Sequence, residues 1–403
     1  MTTTARQSRN WTGPALLSYG FRPFFLFSGL WAAFAMVVWV FLLAGRDPLP
    51  IAFAPTDWHV HAFIFGYLSA VIAGFLLTAV PNWTGRLPVV GRPLAGLVGL
   101  LLLGRLAVLI GAGWPAWVVA MLDLALPVAL IAFLAREIIT GRNWRNLPVL
   151  GLMALFAMAN GLFHMEASQG PAQDGYGLRL GLAAVLMLIA LIGGRIVPSF
   201  TRNWLAKRNA TRLPVAFNRA DGGILGLTGV ALLAFVMVPY GVVTAILCVG
   251  AGLANLWRVA RWQGWQTGPE PLVWVLHTAY VLLALGFVSV GASALDLMPQ
   301  SGARHVWLAG AIGLMTLAVM TRASLGHAGL PLTASHPVAM LYLALIGATL
   351  ARLIAGFAPG EVWLMHLSAG LWILTFGGFS LLYWPILTRP KRAPKPTSRA
   401  QPA

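Results

Sequence analysis

The chain has 403 residues, 59% of them hydrophobic and 9% charged, and a mean hydropathy of +0.80. A soluble domain carries about 25% charged residues, so this chain cannot clothe itself in polar surface and its solvent is a lipid bilayer. The formal net charge of +17 lies between apolar segments and after Tyr383 rather than on amphipathic faces. It reads as topology-setting loop charge and argues against nucleic acid as a partner.

Apolar stretches long enough to cross a hydrocarbon core of about 30 Å recur at 22–44, 57–80, 94–112, 116–136, 147–166, 177–201, 222–239, 241–260, 271–295, 305–324, 337–357 and 362–387. The expected fold is therefore an all-α polytopic membrane protein with twelve transmembrane helices. Residues 1–21 form an N-terminal segment, 22–388 a single transmembrane domain and 389–403 a basic tail expected to be disordered. No cleavable leader is expected, since the first 20 residues are polar and the first apolar run is too long for one.

The weakest boundary is the split at Pro239-Tyr240-Gly241, and charge decides it. With twelve spans one set of loops holds Arg6, Arg9, Arg86, Arg92, Arg142, Arg145, Lys207, Arg208, Arg212, Arg219, Arg258, Arg261, Arg389, Lys391, Arg392 and Lys395. The opposite set holds only Arg46, Arg179 and Arg304, with Asp47, Asp174, Asp296 and Glu361. Such alternation places both termini in the cytoplasm. The ends of spans two, six and ten are alike: Thr78-Ala79-Val80-Pro81-Asn82, Ile196-Val197-Pro198-Ser199-Phe200-Thr201 and Val319-Met320-Thr321-Arg322-Ala323-Ser324. Their spacing of about 120 residues suggests three parallel four-helix repeats.

Topology gives each histidine a depth. His59, His61, His164, His305 and His366 fall on the outer side; His277, His327 and His336 fall on the inner side. An ionisable residue at the mouth of a span marks a functional site, and several imidazoles at one depth on different helices suit copper, zinc or haem iron. Haem b takes one or two axial histidines. With Cys248 the sole cysteine and no Cys-x-x-Cys-His motif, any haem is held non-covalently. Residues two apart on a helix point roughly 200° apart, so His59 and His61 serve different partners unless Thr56 or Asp57 caps the helix late enough to leave His59 outside it. His366 reads as an interface residue, and Ser335-His336-Pro337 as a helix start.

On the inner side Arg22, Arg195, Arg202 and Arg322 lie in or beside the membrane. A buried guanidinium wants an anion, and the chain has only ten acids. Haem propionates or an anionic substrate would neutralise these arginines, with His277 or His327 as axial ligand above them. Arg195 and Arg322 are placed deepest. Arg105 and Asp123, in spans three and four, read as a pair with no assigned chemistry.

Several segments in order carry a resemblance. They are Gly20-Phe21-Arg22-Pro23-Phe24-Phe25, Trp58-His59-Val60-His61, Gly74 through Gly85, Gly194-Arg195-Ile196-Val197-Pro198-Ser199-Phe200-Thr201-Arg202-Asn203, Trp274-Val275-Leu276-His277, and Met315 through His327. Over nearly its full length the chain resembles the NnrS family of bacterial membrane proteins; Asn160-Gly161-Leu162-Phe163-His164 and His305 with the glycines after it fit the same pattern. The resemblance implies a twelve-span inner-membrane protein that carries haem and copper and eases nitrosative stress beside denitrification. The family's first motif reads Trp-His-x-His-Glu. Here Ala62 stands in place of that glutamate, which removes a carboxylate able to orient a ligand or carry a proton.

The leading expectation is thus a haem b and copper protein that meets nitric oxide or a nitrosyl species. His59, His61, His164, His277, His305 and His327 are its candidate ligands, and Arg22, Arg195, Arg202 and Arg322 its candidate anion partners. Turnover would need an electron-donor protein or quinol. The alternatives are a transporter of a metal ion or small anion, which Pro-broken helix ends and central arginines suit, and a passive electron-transfer cytochrome.

Overall fold

The computed structural model describes residues 11–85 and 88–390. The segment 1–10, Arg86 with Leu87, and the basic tail 391–403 lie outside the described residues, and with them the loop charges of Arg6, Arg9, Lys391, Arg392 and Lys395. The described residues hold helices and no strand.

Among the described residues twelve helices are long and apolar enough to span a membrane: α1 Phe21–Leu43, α2 Pro55–Pro81, α3 Arg92–Ile110, α4 Ala116–Thr140, α5 Trp144–Ala167, α6 Tyr176–Ala206, α7 Arg219–Met237, α8 Val242–Ala260, α9 Pro271–Ser293, α10 Gln300–Ala328, α11 His336–Phe357 and α12 Val362–Thr388. The chain is a multi-pass membrane protein. An even number of crossings puts both ends of the bundle on one side, called here the terminal side.

Local chemistry sets the helix ends. Proline occupies the first turn of α2, α3, α9 and α11, where its missing N–H costs nothing. Asn218 and Asp221 form a reciprocal capping box at the start of α7, satisfying two orphan donors. The split near Pro239 is a real turn. α7 ends at Met237, Gly241 takes a positive φ of 94° that a side chain would resist, and α8 starts at Val242. α10 starts at Gln300, five residues before the expected boundary at 305, so His305 lies beyond the first turn rather than at the helix opening.

Most consecutive helices pack side by side, and α12 folds back onto α1 to close the bundle. α2, α6 and α10 form its centre and touch one another. They are also the most buried helices, at 78%, 67% and 78% of their apolar windows against 33–61% elsewhere. Exposed leucines and other large apolar side chains on the outer helices, among them Leu103, Met121, Val243 and Leu381, face outward as a lipid-contacting surface.

Each central helix carries a π-helical stretch: Ala62–Tyr67 in α2, Ile189–Gly193 in α6 and Val306–Gly313 in α10. A wider turn inserts a residue and re-aims the helix face, and such turns gather at functional sites. His61 and His305 are the residues immediately before the π stretches of α2 and α10.

Candidate metal centre and far-side cavity

α2 begins at Pro55, with Ala54 extended, and the Asp57 carboxylate accepts from Ala172 N (3.1 Å) on the α5–α6 connection. Neither Thr56 nor Asp57 delays the helix, so His59 and His61 are both helical and diverge. They enter separate sites.

His61 turns toward α4 and α5. Its Nε2 lies 3.0 Å from Asp123 Oδ2 and 3.0 Å from Asn160 Oδ1. His164, one turn beyond Asn160 on the same face of α5, places its Nε2 3.1 Å from the same Asp123 oxygen. Asn160 Nδ2 donates to that oxygen at 2.7 Å. Arg105 on α3 pairs with the other oxygen, Asp123 Oδ1. All five side chains are buried, His61 completely. The rings of Phe53, Phe65 and Phe163 stand 4.9–5.5 Å from that of His61 and wall the cluster from water.

This geometry depends on glycine at two positions. A Cβ on Gly66 would meet Arg105 Nη1 at 2.5 Å and Trp31 Nε1 at 2.9 Å; one on Gly104 would meet Asp123 Cα at 2.9 Å. Both glycines admit a close approach that carries the ion pair.

His61, Asp123 and His164 each offer one ligand atom, all within 4.8 Å of one another. Metal bonds of about 2.0–2.1 Å set neighbouring tetrahedral ligands roughly 3.3 Å apart, so the 3.0–3.1 Å separations fit one ion with little movement. Three donors crowd a single carboxylate oxygen, and His61 Nδ1 is buried with no hydrogen-bond partner. A two-imidazole, one-carboxylate set suits zinc, iron(II) or copper.

His59 faces the other way, its ring stacked on Trp39 at 4.1 Å and 21°. With His305 and His366 it lines a cavity of about 390 Å³ between α1, α2, α6, α10, α11 and α12, on the side opposite the termini. His305 Nδ1–H donates to Ser301 O at 2.7 Å and His366 Nδ1–H to Val362 O at 3.0 Å. Each bond fixes a tautomer whose Nε2 keeps its lone pair, as a metal-ligating histidine requires. Arg304 and Arg352 stand in the wall, Arg304 paired with Asp174 at 2.6 Å. The floor is apolar and aromatic, with Phe63, Leu68 and Ile312, and ends at Tyr67, whose hydroxyl is 2.7 Å from Thr316 Oγ1.

The terminal side does not gather one site around the four arginines. Arg22 Nη1 donates to the carbonyls of Leu387 and Arg389 and so caps the end of α12. Arg195 and Arg202 are exposed, and Arg202 donates to Pro214 O. Arg195 lies well along the span, yet its helix turns that face outward and leaves it exposed. Arg322 is buried over the Phe200 ring at 4.2 Å, with Nη1 unpartnered. His277 donates through Nε2 to Thr201 Oγ1 at 2.8 Å, and His327 lies against the rings of Tyr19 and Phe21, each 5.4 Å away.

Two contributors to the far-side sites escape sequence reasoning. Asp123, read only as the partner of Arg105, is the acceptor shared by both histidines. His366, read as an interface residue, lines the cavity with His59 and His305.

A comparison with curated proteins returns no match. The family model described as NnrS protein matches residues 15–391, nearly the whole described structure, and the chain therefore belongs to the NnrS family.

Proposed function

We propose that this protein is a haem- and copper-binding member of its family, set in the bacterial inner membrane with both termini cytoplasmic, that binds nitric oxide or a nitrosyl species and relieves nitrosative stress. The observation that carries the reading is the convergence of His61, His164 and Asp123 in a dry aromatic cage. Two imidazoles converging on one buried carboxylate form a donor set that a transition-metal ion takes.

The residues divide into two metal stations. His61, Asp123 and His164 would hold the copper ion. The far-side cavity would hold haem b, with His59 and His305 as the residues that would bind its iron and Arg304 and Arg352 as those that would neutralise its carboxylates. Imidazoles from two central helices in one cavity, an apolar floor and guanidinium groups in the wall support this assignment. Bound haem supplies an iron that takes up nitric oxide or carries an electron. The protein's own residues orient the imidazoles, exclude water and neutralise the carboxylates. The terminal-side group of His277, His327, Arg22, Arg195, Arg202 and Arg322 is the other haem location and has less support, because Arg22 is used as a helix cap and Arg195 and Arg202 are exposed.

The π stretches in α2, α6 and α10, together with their central position, support a bundle of three parallel four-helix repeats. An electron-donor protein or quinol would be needed for turnover.

The test is a Soret spectrum and metal analysis of the purified protein, with and without nitric oxide. A haem band that shifts with nitric oxide, in a copper-containing preparation, supports the proposal. A colourless, copper-free preparation overturns it and leaves transport.

A further inference from the structure

We infer that the His61–Asp123–His164 centre is built for a singly charged cation, as Cu(I) and Ag(I) are, and that Arg105 sets this preference against divalent ions. The inference rests on the proposal that this cluster holds a metal. It adds which charge state is admitted and which residue decides it.

The argument is a charge count. The ligand set offers two imidazoles, neutral when they bind metal, and one carboxylate. The Arg105 guanidinium contacts that same carboxylate, so the surroundings are neutral before any ion arrives. No second acid balances a larger charge. Asp57 and Glu166 keep their charge but turn it to backbone donors away from the cluster, Asp57 to Ala172 N and Glu166 to Tyr176 N and Gly177 N at the start of α6, and neither contacts a ligand atom among the described residues. A divalent ion would leave two net charges inside a phenylalanine cage; a monovalent ion leaves one.

Arg105 cannot withdraw. It is 4% exposed, lies over Trp31 at 5.8 Å and is confined by Gly66, where even a Cβ would meet Nη1. Its Nε and Nη1 have no hydrogen-bond partner, and Asp123 is its ion-pair partner among the described residues. A fixed positive charge on the far oxygen of the same carboxylate repels each unit of ion charge, and at an effective dielectric of about 20 two unit charges about 4 Å apart interact by about 4 kcal/mol, close to a thousandfold. A carboxylate shared with a guanidinium is also a weaker ligand for a divalent ion, which leaves the two neutral imidazoles as the main donors.

The experiment uses the full-length protein in detergent, stripped with a chelator and titrated with silver nitrate or zinc chloride. Bound metal is measured after desalting, and His61→Ala reports what binds at this centre. In the wild type, His61-dependent binding is expected to favour Ag(I) over Zn(II). Arg105→Gln is expected to shift the ratio at least tenfold toward Zn(II). Arg105→Lys, which keeps both the positive charge and the Asp123 ligand, is expected to hold the ratio near the wild-type value. Each variant's thermal midpoint in metal-free buffer separates folding from binding. If Arg105→Gln does not fold, the wild-type ratio still decides, because the inference requires His61-dependent binding to favour Ag(I) there. Zn(II) binding as tightly as Ag(I) in the wild type, or a ratio indifferent to Arg105, overturns the charge-selection inference alone. Absence of any His61-dependent metal overturns the metal proposal beneath it.

Discussion

His61 on α2 places its Nε2 3.0 Å from Oδ2 of Asp123, 62 residues away on α4, and His164 meets the same oxygen from α5 at 3.1 Å. Three helices are thereby tied through one carboxylate, whose other oxygen belongs to Arg105 on α3. The same four residues hold the far-side half of α2 to α5 together and define the metal centre, so stability and binding are linked there.

Asp123→Ala removes the partner of a buried guanidinium. Breaking a buried pair from one side costs about 3–5 kcal/mol, whereas replacing both partners with apolar groups is often near neutral. The single variant is expected to lose most of its thermal stability margin in detergent. Arg105→Met with Asp123→Leu is expected to recover most of it while binding no metal at this centre. Thermal unfolding of the two proteins side by side checks this.

Gly66→Ala places a methyl group against Arg105 Nη1 and Trp31 Nε1. Overpacking of this kind costs about 1–3 kcal/mol, and it should also weaken metal retention by moving the guanidinium. Gly99→Ala on α3, where a Cβ meets nothing within 4 Å, is the control. It is expected to be neutral or to stabilise by up to about 1 kcal/mol through helix propensity.

Arg22→Ala separates a helix cap from a propionate anchor. Its Nη1 bonds to Leu387 O and Arg389 O, and loss of charged hydrogen bonds to buried carbonyls costs about 1.5–3 kcal/mol. The variant is expected to unfold at lower temperature with unchanged haem content per folded molecule. Loss of haem without loss of stability would assign Arg22 to the cofactor.

Arg352→Ala should act in the opposite sense. Arg352 reaches Ser301 Oγ across the cavity rim, an exposed contact whose loss is worth about 0–1 kcal/mol of stability. Haem retention through desalting is expected to fall severalfold, and Arg352→Lys to restore part of it. The absorbance ratio of the haem band to protein measures both.

The twelve helices are legible in the sequence because lipid demands a long apolar run for each crossing, and the alternation of arginine-rich loops separates α7 from α8 at Pro239. The divergence of His59 and His61 follows from helical geometry alone. Their partners do not, because side-chain convergence depends on which helices touch. Asp123 is an acid in the middle of an apolar span, in a chain with ten acids, and Asn160 stands one turn before His164. Those were the available signals, but only the meeting of α2, α4 and α5 turns them into a site. His366 joins the cavity because α12 returns to α1 across the whole length of the chain, a contact no local pattern announces. The π stretches change no composition and leave no trace in hydropathy.

The most direct test of the account is to measure haem and metal separately in His59→Ala and His61→Ala, each checked for folding by its thermal midpoint. The account predicts a clean exchange: His61→Ala loses the bound metal ion and keeps the haem band, and His59→Ala loses the haem band and keeps the ion. Equal loss of both from each folded variant would contradict two separate stations and return the pair to a single site.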